Sequence, residues 1–214
     1  MTEIPESYQR ILRLLGTEKH LTIRQIARVL YPEENQKTVY ERVAKQLKTL
    51  QREKLLNSKS YGLGLEYFWS LANHPLTKEY HPPRGQVHRF KYNHELLCGN
   101  FFVHIYLKGN LTGWQQRRVS KDIIPDRVFY LGDQLCFLEA ETGSQKESDI
   151  RDKLEDYKQY HYETGEKFHV WFVTDNQRMF KLLEEILRGE PSHYEAYLLS
   201  NTDSNTLSKR VEEF

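Results

Sequence analysis

Apolar positions in the first part of the chain recur at helical spacing. Ile11, Leu12, Leu14 and Leu15 mark a helix from Tyr8 to Leu15. A second helix starts after Thr22, a residue suited to an N-cap, and Gln25 three positions later completes a capping-box pattern. Its apolar residues, Ile23, Ile26, Ala27 and Leu30, follow the i, i+3, i+4, i+7 spacing of one buried face. A third helix spans about 36–54 and buries Val39, Val43, Leu47 and Leu50. Two short apolar runs follow, 55–64 and 65–71, folded around a glycine-bearing tip at Gly62-Leu63-Gly64. Three helices and a two-stranded wing predict a winged helix-turn-helix, a fold that commonly sets its third helix in the DNA major groove.

The pattern then breaks. Ala72-Asn73-His74-Pro75 and His81-Pro82-Pro83-Arg84-Gly85 lose apolar periodicity and gather proline and glycine, the mark of a connector. The expected division is a DNA-binding domain over 1–74, a linker over 75–87 and a second domain over 88–214. That second domain reads as a helix over 93–107, capped by Asn93, then a strand over 113–119. Strands over 127–131 and 135–140 follow, then a helix over 148–161. A near-continuous apolar run, Phe168 to Val173, predicts a strand buried on both faces. A helix over 177–188 and a strand over 194–199 complete the order. This is an α/β arrangement, α+β over the whole chain, with helices packed on a mixed sheet.

Charge changes the picture only through its distribution. The formal net charge is +1, so no overall basicity points to nucleic acid. Residues 1–80, however, carry 13 Lys/Arg against 9 Asp/Glu, and the remainder 18 against 21. On the third helix Lys45, Lys48 and Arg52 fall opposite the Val39/Val43/Leu47/Leu50 stripe, with Lys37, Arg42 and Lys54 nearby and Lys59 in the wing. Such a cationic face suits phosphate neutralisation. The blander alternative is a solvated helix whose charges pair internally, as Glu41 and Lys45 can at i, i+4. Cys98 and Cys136 lie in apolar runs without metal-ligand spacing, which favours a reduced, cytoplasmic protein over a disulfide framework. The polar, acidic start does not read as a signal peptide. No apolar run reaches the ~18 residues of a membrane span.

The chemistry concentrates in one predicted hairpin. Gly132-Asp133 between apolar runs is a two-residue turn signal. With Leu131 facing Gln134, the ladder brings Asp126 opposite Glu139, and Glu141 shares that face. Three converging acids repel one another unless something positive sits among them, and a divalent metal is the usual answer. Asp126 and Glu139 are the candidate ligands, with Glu95 in the first turn of its helix as a third. On the following helix Lys153 and Tyr157 share a face at i, i+4. Each residue also has a structural reading. Asp126 can simply open a strand, and Glu141 can be a solvated strand end. Lys153 can pair with Asp149, and Tyr157 can be core. Glu95 can favour the helix dipole, and His94 can be a cap or core residue.

The order of elements and acids resembles the PD-(D/E)xK nuclease superfamily, with Pro125-Asp126 as its first acid and Glu139 as its second. Glu141 stands where that pattern has lysine, and Lys153-x-x-x-Tyr157 looks like a lysine moved onto the helix. The chain as a whole resembles the replication-relaxation family of plasmids and integrative mobile elements. The matching residues are His94, Pro125-Asp126, Glu139-Ala140-Glu141-Thr142 and Lys153-Leu154-Glu155-Asp156-Tyr157. The resemblance implies a DNA-binding accessory factor in replication, relaxation or conjugative transfer. Two alternatives stay open. One is a Mg²⁺- or Mn²⁺-dependent endonuclease or nickase using Asp126, Glu139, Glu141, Lys153 and Tyr157. The other is a winged-helix transcriptional regulator with a degenerate nuclease fold. Double-stranded DNA is the expected partner. Replication or relaxase proteins and a second copy of the chain are further candidates, although no dimer seam is legible. No membrane partner is expected.

Overall fold

The computed structural model describes residues 4–62, 65–83 and 87–199. Two residues at the expected wing tip, Leu63 and Gly64, and three of the expected linker, Arg84, Gly85 and Gln86, lie outside the described residues. The chain divides into two compact units, 1–107 and 108–214.

The first unit is helical with a small sheet. Helix α1 (Glu6–Thr17) buries Ile11, Leu12, Leu14 and Leu15. Helix α2 (Ile23–Leu30) has the capping box read from its sequence. The Thr22 hydroxyl accepts the Gln25 N–H, and Gln25 Oε1 accepts the Thr22 N–H at 2.8 Å. Helix α3 (Gln36–Arg52) is capped by Asn35, whose side chain accepts the N–H groups of Lys37 and Thr38, and it buries Val39, Val43, Leu47 and Leu50. The sheet has strand order β1-β3-β2, with β1 (Leu21–Thr22), β2 (Leu56–Lys59) and β3 (Phe68–Leu71). Strand β1 pairs through Leu21 with Trp69 and was not expected, because two residues are too few to carry a period.

A short 3₁₀ turn, Pro75–Tyr80, occupies part of the expected linker, and a second, Arg89–Lys91, lies just beyond it. Helix α4 (Tyr92–Lys108), read as the opening of the second domain, falls almost wholly in the first unit. It rests on α2. Gln25 Nε2 donates to the Leu96 carbonyl at 3.1 Å and to Asn100 Oδ1 at 2.9 Å. Gly99 lets the two approach, since a Cβ there would stand 2.7 Å from Gln25 Nε2.

The second unit is a five-stranded sheet ordered β4-β5-β6-β7-β8. Its strands are β4 (Leu111–Gln115), β5 (Arg127–Leu131), β6 (Gln134–Ala140), β7 (Phe168–Thr174) and β8 (Tyr194–Leu198). The first three are antiparallel neighbours, and β6, β7 and β8 run parallel. Strand β4 starts two residues earlier than its expected 113–119 span and ends four residues sooner. Gly109 and Asn110, with φ of 82° and 61°, turn the chain straight into the sheet, and the register shifts between Thr112 and Gln115. Gly132 takes the positive φ, 57°, that a tight hairpin turn demands.

Helix α5 (Glu147–Thr164) crosses from β6 to β7, and α6 (Gln177–Ile186) from β7 to β8. Helix α5 lays Ile150, Leu154 and Tyr157 on the sheet face carrying Val128, Leu135 and Phe137. Fully burying one such leucine supplies enough that Leu154→Ala should cost about 2–5 kcal/mol. All seven residues of β7 are buried, in keeping with its apolar run. No helix among the described residues is long and apolar enough to cross a membrane.

Candidate functional site

Each unit carries one group of charged residues that its fold assembles. In the first, the buried stripe of α3 turns Lys37, Tyr40, Glu41, Lys45, Lys48 and Arg52 outward, all exposed. Tyr40, Ala44, Lys45, Lys48, Thr49 and Arg52 line one shallow concavity with Glu41. The Glu41–Lys45 pair that would neutralise this face does not form among the described residues. Lys45, Lys48 and Arg52 stay without an ion-pair partner there.

Two of the expected cations are engaged elsewhere. Arg42 pairs with Glu34 and lies over the Tyr31 ring, 4.2 Å from its centroid. Lys59 donates to the Val87 carbonyl at 3.0 Å, beside the Tyr61 hydroxyl, which donates to the same oxygen at 2.7 Å. Tyr40 was not singled out from the sequence, although it sits three or four residues from Lys37 and Ala44 and so on the same face.

In the second unit the hairpin register is Leu131↔Gln134 through Arg127↔Leu138. Beyond it the Asp126 N–H donates to the carbonyl of Leu138 at 3.0 Å, the residue already opposite Arg127, so the register slips by one at the strand end. Asp126 Oδ2 then accepts the Ala140 N–H at 2.8 Å, closing the strand end with a side chain where a backbone carbonyl would otherwise stand. Strand alternation puts Glu139 and Glu141 on the α5 side, in line with Leu135 and Phe137. Both are buried. The direct pairing expected for Asp126 and Glu139 does not form, because the ladder ends at Arg127↔Leu138; the Asp126 carboxylate instead reaches the same strand end through the Ala140 N–H, where its charge acts on Glu139.

What meets those acids is helix α5. Lys153 Nζ donates to Glu139 Oε2 at 2.7 Å and to Glu141 Oε1 at 2.8 Å. The Tyr157 hydroxyl donates to Glu139 Oε1 at 2.7 Å. Lys153 and Tyr157 are one turn apart, so a single helix face delivers both donors. Asp149, the other partner considered for Lys153, instead accepts the Lys146 N–H at the helix start.

The electrostatics follow from burial and this geometry. Burial pushes Glu139 up to about 7. The Lys153 ammonium works against that shift, and the negative charge of Asp126 adds to it. Burial alone would lower Lys153, but Glu139 and Glu141 outweigh it and hold the ammonium charged above its ordinary range. Tyr157 is driven well above its usual value by burial and by the charge of Glu139, so it remains a hydrogen-bond donor.

This donor set does not fit a divalent metal as it stands. Both Glu139 oxygens, one Glu141 oxygen and one Asp126 oxygen are already engaged by protein donors. A hard cation needs several such oxygens converging on one point. No group of three or more His, Cys, Asp or Glu among the described residues is arranged to hold a metal ion. Glu141 Oε2 is buried without a hydrogen-bond partner among the described residues. Glu95, the third expected ligand, lies on α4 in the first unit, with its carboxylate 3.7 Å from His94 Nδ1.

The replication-relaxation family model matches residues 12–170. The chain belongs to that family, and membership points to a role in plasmid replication or relaxation. No curated protein matches it. No solved structure matches it either.

Proposed function

We propose that this member of the replication-relaxation family is a DNA-binding accessory protein acting in replication, relaxation or transfer of a plasmid or integrated mobile element. In this reading the first unit is a winged helix-turn-helix that grips duplex DNA through α3. The second unit is a PD-(D/E)xK-like domain retained for its shape and contacts. The observation that carries the proposal is the exposed, unpaired row of Lys45, Lys48 and Arg52 opposite a fully buried stripe. A helix with its cations unpaired in solvent is poised to neutralise phosphates and release counterions. Lys37 stands at the N-terminal end of the same face, near where such helices meet base edges. Arg42 and Lys59 hold the local fold together and contribute less to the grip.

Fluorescence anisotropy with labelled duplexes at several salt concentrations tests this. Lys48→Ala and Arg52→Ala should each weaken binding and reduce the salt slope by about 0.9. Unchanged affinity and slope would instead assign the face to protein contact.

A second reading, a Mg²⁺- or Mn²⁺-dependent nickase, draws on one observation: Asp126, Glu139, Glu141 and Lys153 belong to a single cluster with Tyr157. The engagement of their oxygens weighs against it. Supercoiled plasmid incubated with each metal and with EDTA separates the readings. Metal-dependent nicking that disappears in both Asp126→Ala and Lys153→Ala would favour the enzyme. Binding confined to one operator-like site, without any effect on topology, would favour a transcriptional regulator.

A further inference from the structure

The acids of the second unit need a positive counterpart, and the fold supplies one from inside the chain. We infer that the Lys153 ammonium is the resident cation of the Asp126/Glu139/Glu141 cluster, so that the unit assembles without metal and accepts a divalent ion only once that ammonium is removed. The inference concerns this cluster alone and stands whether or not the first unit grips DNA.

Three observations carry it. Lys153 Nζ lies between Glu139 Oε2 and Glu141 Oε1, at 2.7 Å and 2.8 Å, which makes it the shared ligand of two buried carboxylates. Its position is set by the helix rather than by chance, because Ile150, Leu154 and Tyr157 pack the same helix onto the sheet. The Tyr157 hydroxyl takes the remaining Glu139 oxygen, so both oxygens of that residue already accept from a protein donor. An ammonium at hydrogen-bond distance from both glutamates and a metal bound to the same oxygens exclude each other sterically and by charge.

The remaining geometry says what removal would do. Glu141 Oε2 is buried with no hydrogen-bond partner among the described residues, and deleting the ammonium would free Glu141 Oε1 and Glu139 Oε2 beside it. Those oxygens are hard donors on adjacent in-facing positions of one strand, the kind a Mn²⁺ or Mg²⁺ ion takes. The side chain of Lys153 is 35% exposed, so the position it would vacate opens to solvent and a hydrated ion can enter.

The test uses the full chain and Mn²⁺, followed by electron paramagnetic resonance of the free ion and by thermal melting. The wild-type protein should leave the Mn²⁺ signal unchanged, and its melting temperature should respond neither to Mn²⁺ nor to EDTA. Lys153→Ala should bind Mn²⁺ at least about tenfold more tightly than wild type and melt higher when the ion is present. Lys153→Arg keeps the charge and should behave as wild type does. Adding Glu141→Gln to Lys153→Ala should abolish the new binding. Should Lys153→Ala fail to fold, Lys153→Met retains the aliphatic stem and replaces it. Sub-millimolar Mn²⁺ binding by the wild type that disappears in Glu139→Gln would overturn the inference. A folded Lys153→Ala or Lys153→Met that binds no Mn²⁺ would overturn it too.

Discussion

Two sets of cations on this chain occupy opposite environments. On α3, Lys45, Lys48 and Arg52 stand in solvent with no ion-pair partner among the described residues, although Glu41 is one turn from Lys45. On α5, Lys153 is bonded to two buried glutamates, and its helix is packed so that it cannot easily turn away. Both sets sit beside an apolar stripe at helical spacing. The first has no ion-pair partner among the described residues, whereas the second is consumed by the fold. Positive charge in a helix therefore signals a ligand only when the facing surface leaves that charge unpaired.

The contrast can be broken most directly at Lys153. Removing one partner of a buried pair leaves the other charge uncompensated, so Lys153→Ala should destabilise the second unit by about 3 kcal/mol, part of the penalty being relieved by solvent at the exposed end. Denaturant unfolding measures it, and a loss below about 1 kcal/mol would mean that the pair is not integral to the fold.

The next effect is a pH dependence at Glu139. Its carboxyl sits at about 7, above the ordinary 4.5. Across that window the folded chain holds a proton the unfolded chain has released, so stability from this group is greatest at low pH and falls as pH rises. Glu139→Gln should flatten the slope, with the difference amounting to about 1–3 kcal/mol between the two ends. Parallel wild-type and variant melting curves across pH 4.5–7 would refute this source of the dependence.

On the other side of the comparison, Lys48→Ala combined with Arg52→Ala should weaken duplex binding by about tenfold at moderate salt. The same double variant should leave unfolding within about 0.5 kcal/mol of wild type, because both side chains are exposed and make no ion pair among the described residues.

Arg42 lies between the two extremes and gives the smallest effect. Its bond to Glu34 and its place over Tyr31 predict a stability loss of about 0.5–1 kcal/mol for Arg42→Ala. DNA affinity should change by less than about twofold. A larger affinity loss with no stability change would move Arg42 into the row with Lys48.

Much of this was legible along the chain, for local reasons. Thr22 and Gln25 announce their capping box because both partners lie within one turn. Gly132-Asp133 announces the hairpin because a two-residue turn fixes register, and register then sets Arg127 opposite Leu138 without any knowledge of the sheet; the slip at Asp126 had no such signal. The unbroken apolar run of β7 identifies a strand covered on both faces. Other features had no local signature. Strand β1 is two residues long, and its pairing with Trp69 depends on a segment some fifty residues away. Helix α4 looks like the start of a new domain because proline and glycine precede it, yet Gln25 and Gly99 bind it to α2.

The sequence alone determined which residues form helices and strands, where the hairpin turns, and that acids gather at one end of it. These outcomes follow from spacing, turn chemistry and alternation, which act over a few residues. Only the tertiary structure decided what neutralises the acids and which lysines remain free. Whether Lys153 reaches Asp149 or Glu139, and whether Arg42 faces solvent or Tyr31, depends on which surfaces are brought within about 3–6 Å by packing. Charge interactions of that range are set by the meeting of distant segments, and no periodicity along the chain encodes that meeting.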